Sequence, residues 1–91
     1  MIVKVAELKN GMKDINIVVE IDYIPPRFKE KAWGVIYVKD DSKDIKMILM
    51  GETMKKAKEG KKLKITKGYI QMNRGELQLN PSKENPVKFV D

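Results

Sequence analysis

The sequence contains no cysteine and no histidine. The first absence rules out disulfides, thiolate metal sites and thiol redox chemistry. The second removes the side chain most used as a general base near neutral pH, the commonest metal ligand, and every nucleophile that an imidazole would activate. The carboxylates, lysines and tyrosines that remain make an enzyme an unfavoured expectation, and no cofactor is expected. Asp40, Asp41 and Asp44 are the one acidic cluster that suggests a divalent cation, but acidic residues in such a turn are ordinarily turn formers. Rings are scarce too, at one Trp, three Tyr and two Phe, and arginine is limited to Arg27 and Arg74. Long apolar runs are missing. Met1-Ile2-Val3 is followed at once by Lys4, and Met47–Met50 has the length of part of a strand. Neither a signal peptide nor a membrane span is expected, and a cytoplasmic location is.

What is abundant is lysine. Lys and Arg number 19 against 13 Asp and Glu, a formal net charge of +6 on 91 residues. A small basic domain points to an anionic partner, most often nucleic acid. The same lysine- and glutamate-rich, cysteine-free surface also fits life at high temperature. The length supports a single domain over residues 1–91 with one modest core.

Hydrophobic alternation places the strands. Asp14 to Ile24 directs Ile15, Ile17, Val19 and Ile21 to one face, and Pro25-Pro26 ends its pairing because neither residue can donate to a ladder. After a basic loop at Arg27–Lys31, a second strand runs from Ala32 to Lys39, with Gly34, Ile36 and Val38 inward. Asp40–Asp44 is a turn, and Ile45 to Met50 is a third strand with Ile45, Met47 and Leu49 inward. Gly51 breaks it. Glu52–Lys58 reads as a short helix capped by Thr53, with Met54 and Ala57 toward the sheet and Glu59-Gly60 closing it at a C′ glycine. A long fourth strand, Lys61 to Met72, is interrupted at Gly68. Asn73-Arg74-Gly75 turns the chain into a fifth strand ending at Leu79, with Ile70, Met72, Leu77 and Leu79 on the core side and Tyr69, Gln71, Asn73, Glu76 and Gln78 on a polar one. Val87–Val90 is a last short strand. The order predicts an all-β fold, the five-stranded Greek-key OB barrel with one short helix between the third and fourth strands. Strand and turn counts alone do not separate that barrel from other small all-β folds.

Several short motifs in sequence carry a family likeness. Val5-Ala6-Glu7-Leu8-Lys9-Asn10-Gly11-Met12, the strand–acidic turn–strand at Tyr37–Asp41 and Ile45–Leu49, the helix exit Glu59-Gly60-Lys61, and the hairpin Gly68-Tyr69 through Arg74–Leu79 follow one another as in a known group. The chain resembles the simple archaeal single-stranded-DNA-binding proteins and the related OB domains of replication protein A. The resemblance implies that unpaired nucleotides lie across the second and third strands and the last hairpin, with rings stacking on bases and basic residues meeting phosphates. By position, Tyr69 matches an aromatic platform and Arg74 the basic residue of the hairpin tip. Met50 stands where the family usually has a tryptophan, and Asn73 where it usually has a phenylalanine.

The nucleic-acid-binding residues expected on this reading are Trp33, Tyr37, Lys39, Lys46, Met50, Tyr69, Gln71, Asn73 and Arg74, with Arg27, Phe28 and Lys31 from the loop that walls the groove. The expected partner is single-stranded DNA, with RNA open because nothing here reads a 2′-hydroxyl. A rival reading uses the same face. Trp33, Val35, Tyr37, Ile48 and Met50 would form an apolar patch suited to a protein partner or to self-association. Lys55, Lys56, Lys58, Lys61 and Lys62 form the largest positive run and read as a solvated face.

Overall fold

A computed structural model describes residues 2–26, 33–82, 84 and 87–90. After a short 3-10 turn at Val5–Glu7, the elements are β1 (Ile15–Tyr23), β2 (Trp33–Lys39), β3 (Asp44–Met50), α1 (Gly51–Lys56), β4 (Lys62–Asn73), β5 (Glu76–Asn80) and β6 (Lys88–Val90). The sheet order is β1-β2-β3-β5-β4-β6, and β1 also pairs with β4, which closes five strands into a barrel. All neighbours are antiparallel except β3 and β5. This is the OB-fold, with its helix between the third and fourth strands.

Closure depends on two strands that each serve two partners. Along β1, Ile15–Glu20 faces β4 while Glu20–Tyr23 faces β2. Along β4, Lys62–Ile65 faces β1 and Tyr69–Asn73 faces β5. Between those halves of β4 the inward parity changes from odd (Leu63, Ile65) to even (Gly68, Ile70), because Lys67 takes a positive φ of 57°. That is a bulge: one extra residue bends the strand and reverses the faces beyond it. The side-chain carbonyl of Asn16 accepts the Lys67 N–H at 3.2 Å and holds the bend. The interruption expected at Gly68 therefore begins one residue earlier. Gly68 has a different role. A Cβ there would lie 2.7 Å from Ile65 Cγ2 and 3.0 Å from the Asn80 carbonyl oxygen. β6 pairs with Lys62–Lys64 on the edge not taken by β1, so it prolongs the line of β5 along β4.

The core is formed by the inward alternation of β1, β2 and β3 as the sequence predicts, joined by Leu63, Ile65, Ile70 and Leu79. Val5 and Leu8 are buried in it from the N-terminal segment, and Met54 and Ala57 from α1 and its exit. Three details of the predicted helix change. It is six residues long, its C-cap is Ala57 rather than a residue before Gly60, and the Thr53 hydroxyl donates to the Met50 carbonyl at 2.7 Å instead of capping N–H groups. The hairpin also departs from expectation. Arg74 and Gly75 both have positive φ (52° and 79°), the pattern of a two-residue type I′ turn, with Asn73 and Glu76 paired beneath it. Met72, assigned to the core by alternation, is 47% exposed. It pairs with Leu77 near the tip of the hairpin, where the core-side face is left open to solvent.

The β2–β3 turn is tied to the N-terminal segment by one carboxylate. Asp40 Oδ2 accepts the Val5 N–H at 2.8 Å, and Oδ1 accepts the N–H groups of Ser42 (2.8 Å) and Lys43 (3.1 Å) and the Ser42 hydroxyl. Burial alone would raise this acid's pKa. The hydrogen bonds from Ser42, Val5 and Lys43 outweigh it and hold the pKa below the ordinary value.

Two outcomes follow. Gly68→Ala should destabilise the barrel by about 1–3 kcal/mol in urea unfolding, because the contacted Asn80 backbone has no rotamer with which to yield. Asp40 has a depressed folded pKa, so its contribution is complete above the unfolded value of about 3.9 and fades as pH falls through the folded value. Asp40→Asn should lower the midpoint of thermal unfolding at pH 7, and the gap to the parent protein should shrink in strongly acid buffer.

Candidate nucleic-acid interface

The outward residues of β2 and β3 meet in pairs. Trp33 faces Met50, Val35 faces Ile48, Tyr37 faces Lys46 and Lys39 faces Asp44. On the far side of β3, Lys46 lies beside Gln78 of β5 and Met47 beside Leu79. Across the next ladder, Tyr69 faces Asn80, Gln71 faces Gln78 and Asn73 faces Glu76. The pairings thus arrange Tyr37, Lys46, Gln78 and Gln71 in one row across the outer surface, with the Val35–Ile48 and Asn80–Tyr69 pairs beside it.

A bulge adds a ring to this surface. Ile21 pairs with Val38 and Tyr23 with Tyr37, which leaves Asp22 as the extra residue. Without the bulge, Tyr23 would share the inward parity of Ile21. With it, Tyr23 is 47% exposed and its ring centroid lies 6.1 Å from that of Tyr37, at 44°. Such a tilted pair restrains both rings. Trp33 (54%) and Tyr69 (43%) are exposed as well.

The polar centre of the face is a chain of amides. Asn73 Nδ2 donates to Gln78 Oε1 at 3.2 Å, Gln78 Nε2 to Asn80 Oδ1 at 2.7 Å, and Asn80 Nδ2 to Gln71 Oε1 at 3.2 Å. Gln78 and Asn80 are buried while Gln71 and Asn73 are open to solvent. The buried amides are therefore satisfied by their neighbours, and the exposed ends keep hydrogen-bonding capacity for a ligand.

The cations of this face are largely spoken for. Lys39 Nζ lies 3.2 Å from Asp22 and 3.9 Å from Glu20, and its pKa is raised first by the hydrogen bond to Asp22 and then by that residue's charge. Lys46, half-buried, forms an ion pair with Glu76. Arg74 stands exposed at the hairpin tip with no ion pair among the described residues.

The structure thus brings Trp33, Tyr37, Lys39, Lys46, Met50, Tyr69, Gln71, Asn73 and Arg74 onto or beside one surface. Arg27, Phe28 and Lys31 lie outside the described residues. The apolar stripe of the rival reading is also present, with Met50 46% exposed opposite Trp33 and the half-buried Val35–Ile48 pair next to them. Sequence reasoning missed Tyr23 and Asn80. Only the proximity of Pro25-Pro26 hinted that alternation would fail at Tyr23; Asn80 looked like the start of a polar loop.

No protein-family model matches the sequence, and no curated protein matches it. Solved structures do match. A hypothetical protein from Arabidopsis thaliana, determined in solution, superposes with a TM-score of 0.77 at 16% identity, covering 97% of this chain and 72% of the other. A murine DNA-binding protein bound with double-stranded DNA gives 0.77 at 18% identity over 99% of this chain and 47% of the other, so this chain spans about half its length. A replication factor A-related protein from Methanobacterium thermoautotrophicum gives 0.70 at 15% identity, covering 100% and 92%. At these identities the likeness concerns architecture, and it agrees with the strand pairings in assigning an OB barrel.

Proposed function

We propose that this protein binds single-stranded nucleic acid, single-stranded DNA first, without strong sequence preference, and that it protects or presents unpaired strands in replication, recombination or repair without catalysing a reaction. The observation that carries this reading is the gathering of Tyr23, Trp33, Tyr37 and Tyr69 on one outer surface of an OB barrel, around a row of amides. Exposed rings give unpaired bases a stacking platform whatever their identity, and each stacked base contributes about 1–3 kcal/mol. β2 and β4 are three strand steps apart, or about 14 Å at roughly 4.8 Å per step, so Tyr37 and Tyr69 suit different nucleotides of one strand. The names of two structural neighbours, a DNA-binding protein and a replication factor A-related protein, lend support.

The salt bridges shape the mechanism. With Lys39 and Lys46 held by carboxylates, stacking contributes more than phosphate contact, and Arg74 is a cation at the rim with no ion pair among the described residues. The aromatic positions absent from the family pattern, at Met50 and Asn73, are offset by Trp33 and by the Tyr23–Tyr37 pair. A second reading has its own observation: Trp33, Met50, Val35 and Ile48 form an apolar stripe that a protein surface, or a second copy, would cover.

Trp33 is the only tryptophan, so its fluorescence reports on this surface directly. An oligothymidine should quench it, and Tyr69→Ala or Tyr37→Ala should weaken binding by about 1–3 kcal/mol. Glu76→Gln should strengthen binding by releasing the Lys46 ammonium. Absence of both quenching and a mobility shift at low salt would sink the nucleic-acid reading. Concentration-dependent sedimentation, unchanged by oligonucleotide, would favour the protein partner.

A further inference from the structure

Besides Arg74, a second set of exposed cations among the described residues lies elsewhere on the barrel. Lys62 and Lys64 project from the outward side of β4 where it pairs with β1 and β6, and both are exposed. Lys88 of β6 is exposed as well, and its Cα partner is Lys64. Two like charges directly opposed across an antiparallel pair destabilise it. Among the described residues neither Lys64 nor Lys88 has an ion pair, and Glu20, the β1 partner of Lys62, lies with Lys39 instead. Beside this strip, Lys88 shares a shallow groove between α1 and β6 with Lys56 and Lys61, over Val87 and Phe89. The Lys61 ammonium sits 5.7 Å from the Phe89 ring centroid, which keeps it at the groove without neutralising it. Glu52 is the acidic residue lining that groove.

We propose that Lys62, Lys64 and Lys88, with Lys56 and Lys61 of the adjoining groove, form a second nucleic-acid surface that takes the sugar–phosphate backbone and is separate from the aromatic face. A run of ammonium groups that have no ion pair among the described residues, along two adjacent strands, is complementary to a regularly charged polyanion, and binding relieves the Lys64–Lys88 repulsion while releasing counterions. Among the described residues no ring stands exposed beside these lysines, because Phe89 is half-buried under Lys61. The surface therefore suits phosphates rather than bases. It does not rest on the stacking role of the aromatic face. A chain with both surfaces would hold an unpaired strand on one side and a second stretch of backbone on the other.

The test uses a mixed-sequence duplex, which presents phosphates while hiding its base faces, in fluorescence anisotropy on the full chain. The triple variant Lys62→Ala/Lys64→Ala/Lys88→Ala should bind the duplex at least about tenfold more weakly at low salt, with a salt slope shallower by up to about three at roughly 0.9 per lost phosphate contact. Oligothymidine quenching of Trp33 should be unchanged, and the corresponding triple Lys→Arg variant should bind the duplex like the parent. The proposal is overturned if the parent protein does not bind duplex at about 50 mM salt, if the Ala variant binds it as well as the parent, or if duplex displaces oligothymidine from the Trp33 face. Absence of Trp33 quenching together with duplex binding that the Ala variant loses would remove the stacking reading and leave this one standing.

Discussion

The kink in β4 is the constraint on which the barrel depends. One strand must run beside β1 for its first half and beside β5 for its second, and a regular strand cannot turn far enough to do both. The positive φ of Lys67, braced by Asn16, supplies the turn, and the missing side chain of Gly68 allows the Asn80 carbonyl to approach. The same step exchanges inward and outward faces. Had the parity of Leu63 and Ile65 continued, Tyr69 and Gln71 would point into the core and Ile70 into solvent. The bend that closes the barrel therefore also builds half of the outer surface.

A second bulge, at Asp22, acts on the other flank by turning Tyr23 outward against Tyr37. Most of the fold was legible in the sequence because β1, β2 and β3 each present one apolar face to one core, and alternation records that plainly. The break in β4 was legible at Gly68, one residue from its place, and the bulge at Asp22 was not. A bulge leaves no sequence signature where an ordinary Lys or Asp occupies it, so its presence is decided by the partner strands. Met72 shows a related limit: alternation gives the side of the sheet a residue takes, not whether anything packs above that side.

The candidate site was legible as a list and not as an electrostatic surface. Trp33, Tyr37, Tyr69 and Arg74 stand at one face much as their positions suggested. The charge of Lys39 and Lys46 is plain in the sequence, but their neighbours Asp22 and Glu76 come from other strands and become visible only with the register. Lys64 and Lys88 are far apart in the chain and fall opposite each other for the same reason. Net charge gives an excess of cations and no map of where that charge is free.

The amide chain from Asn73 through Gln78 and Asn80 to Gln71 is directional: each of the first three donates to the next, so no single amide can flip without breaking the bonds it makes in the chain. The four behave as one polarised wire embedded between two strands. Its tail shows a carbonyl oxygen at Asn73 and its head an amino group at Gln71. Reversing the wire exchanges those signs together. A base or peptide edge that engages one end thus fixes what the other end offers, and the surface has two matched faces to present rather than four independent groups.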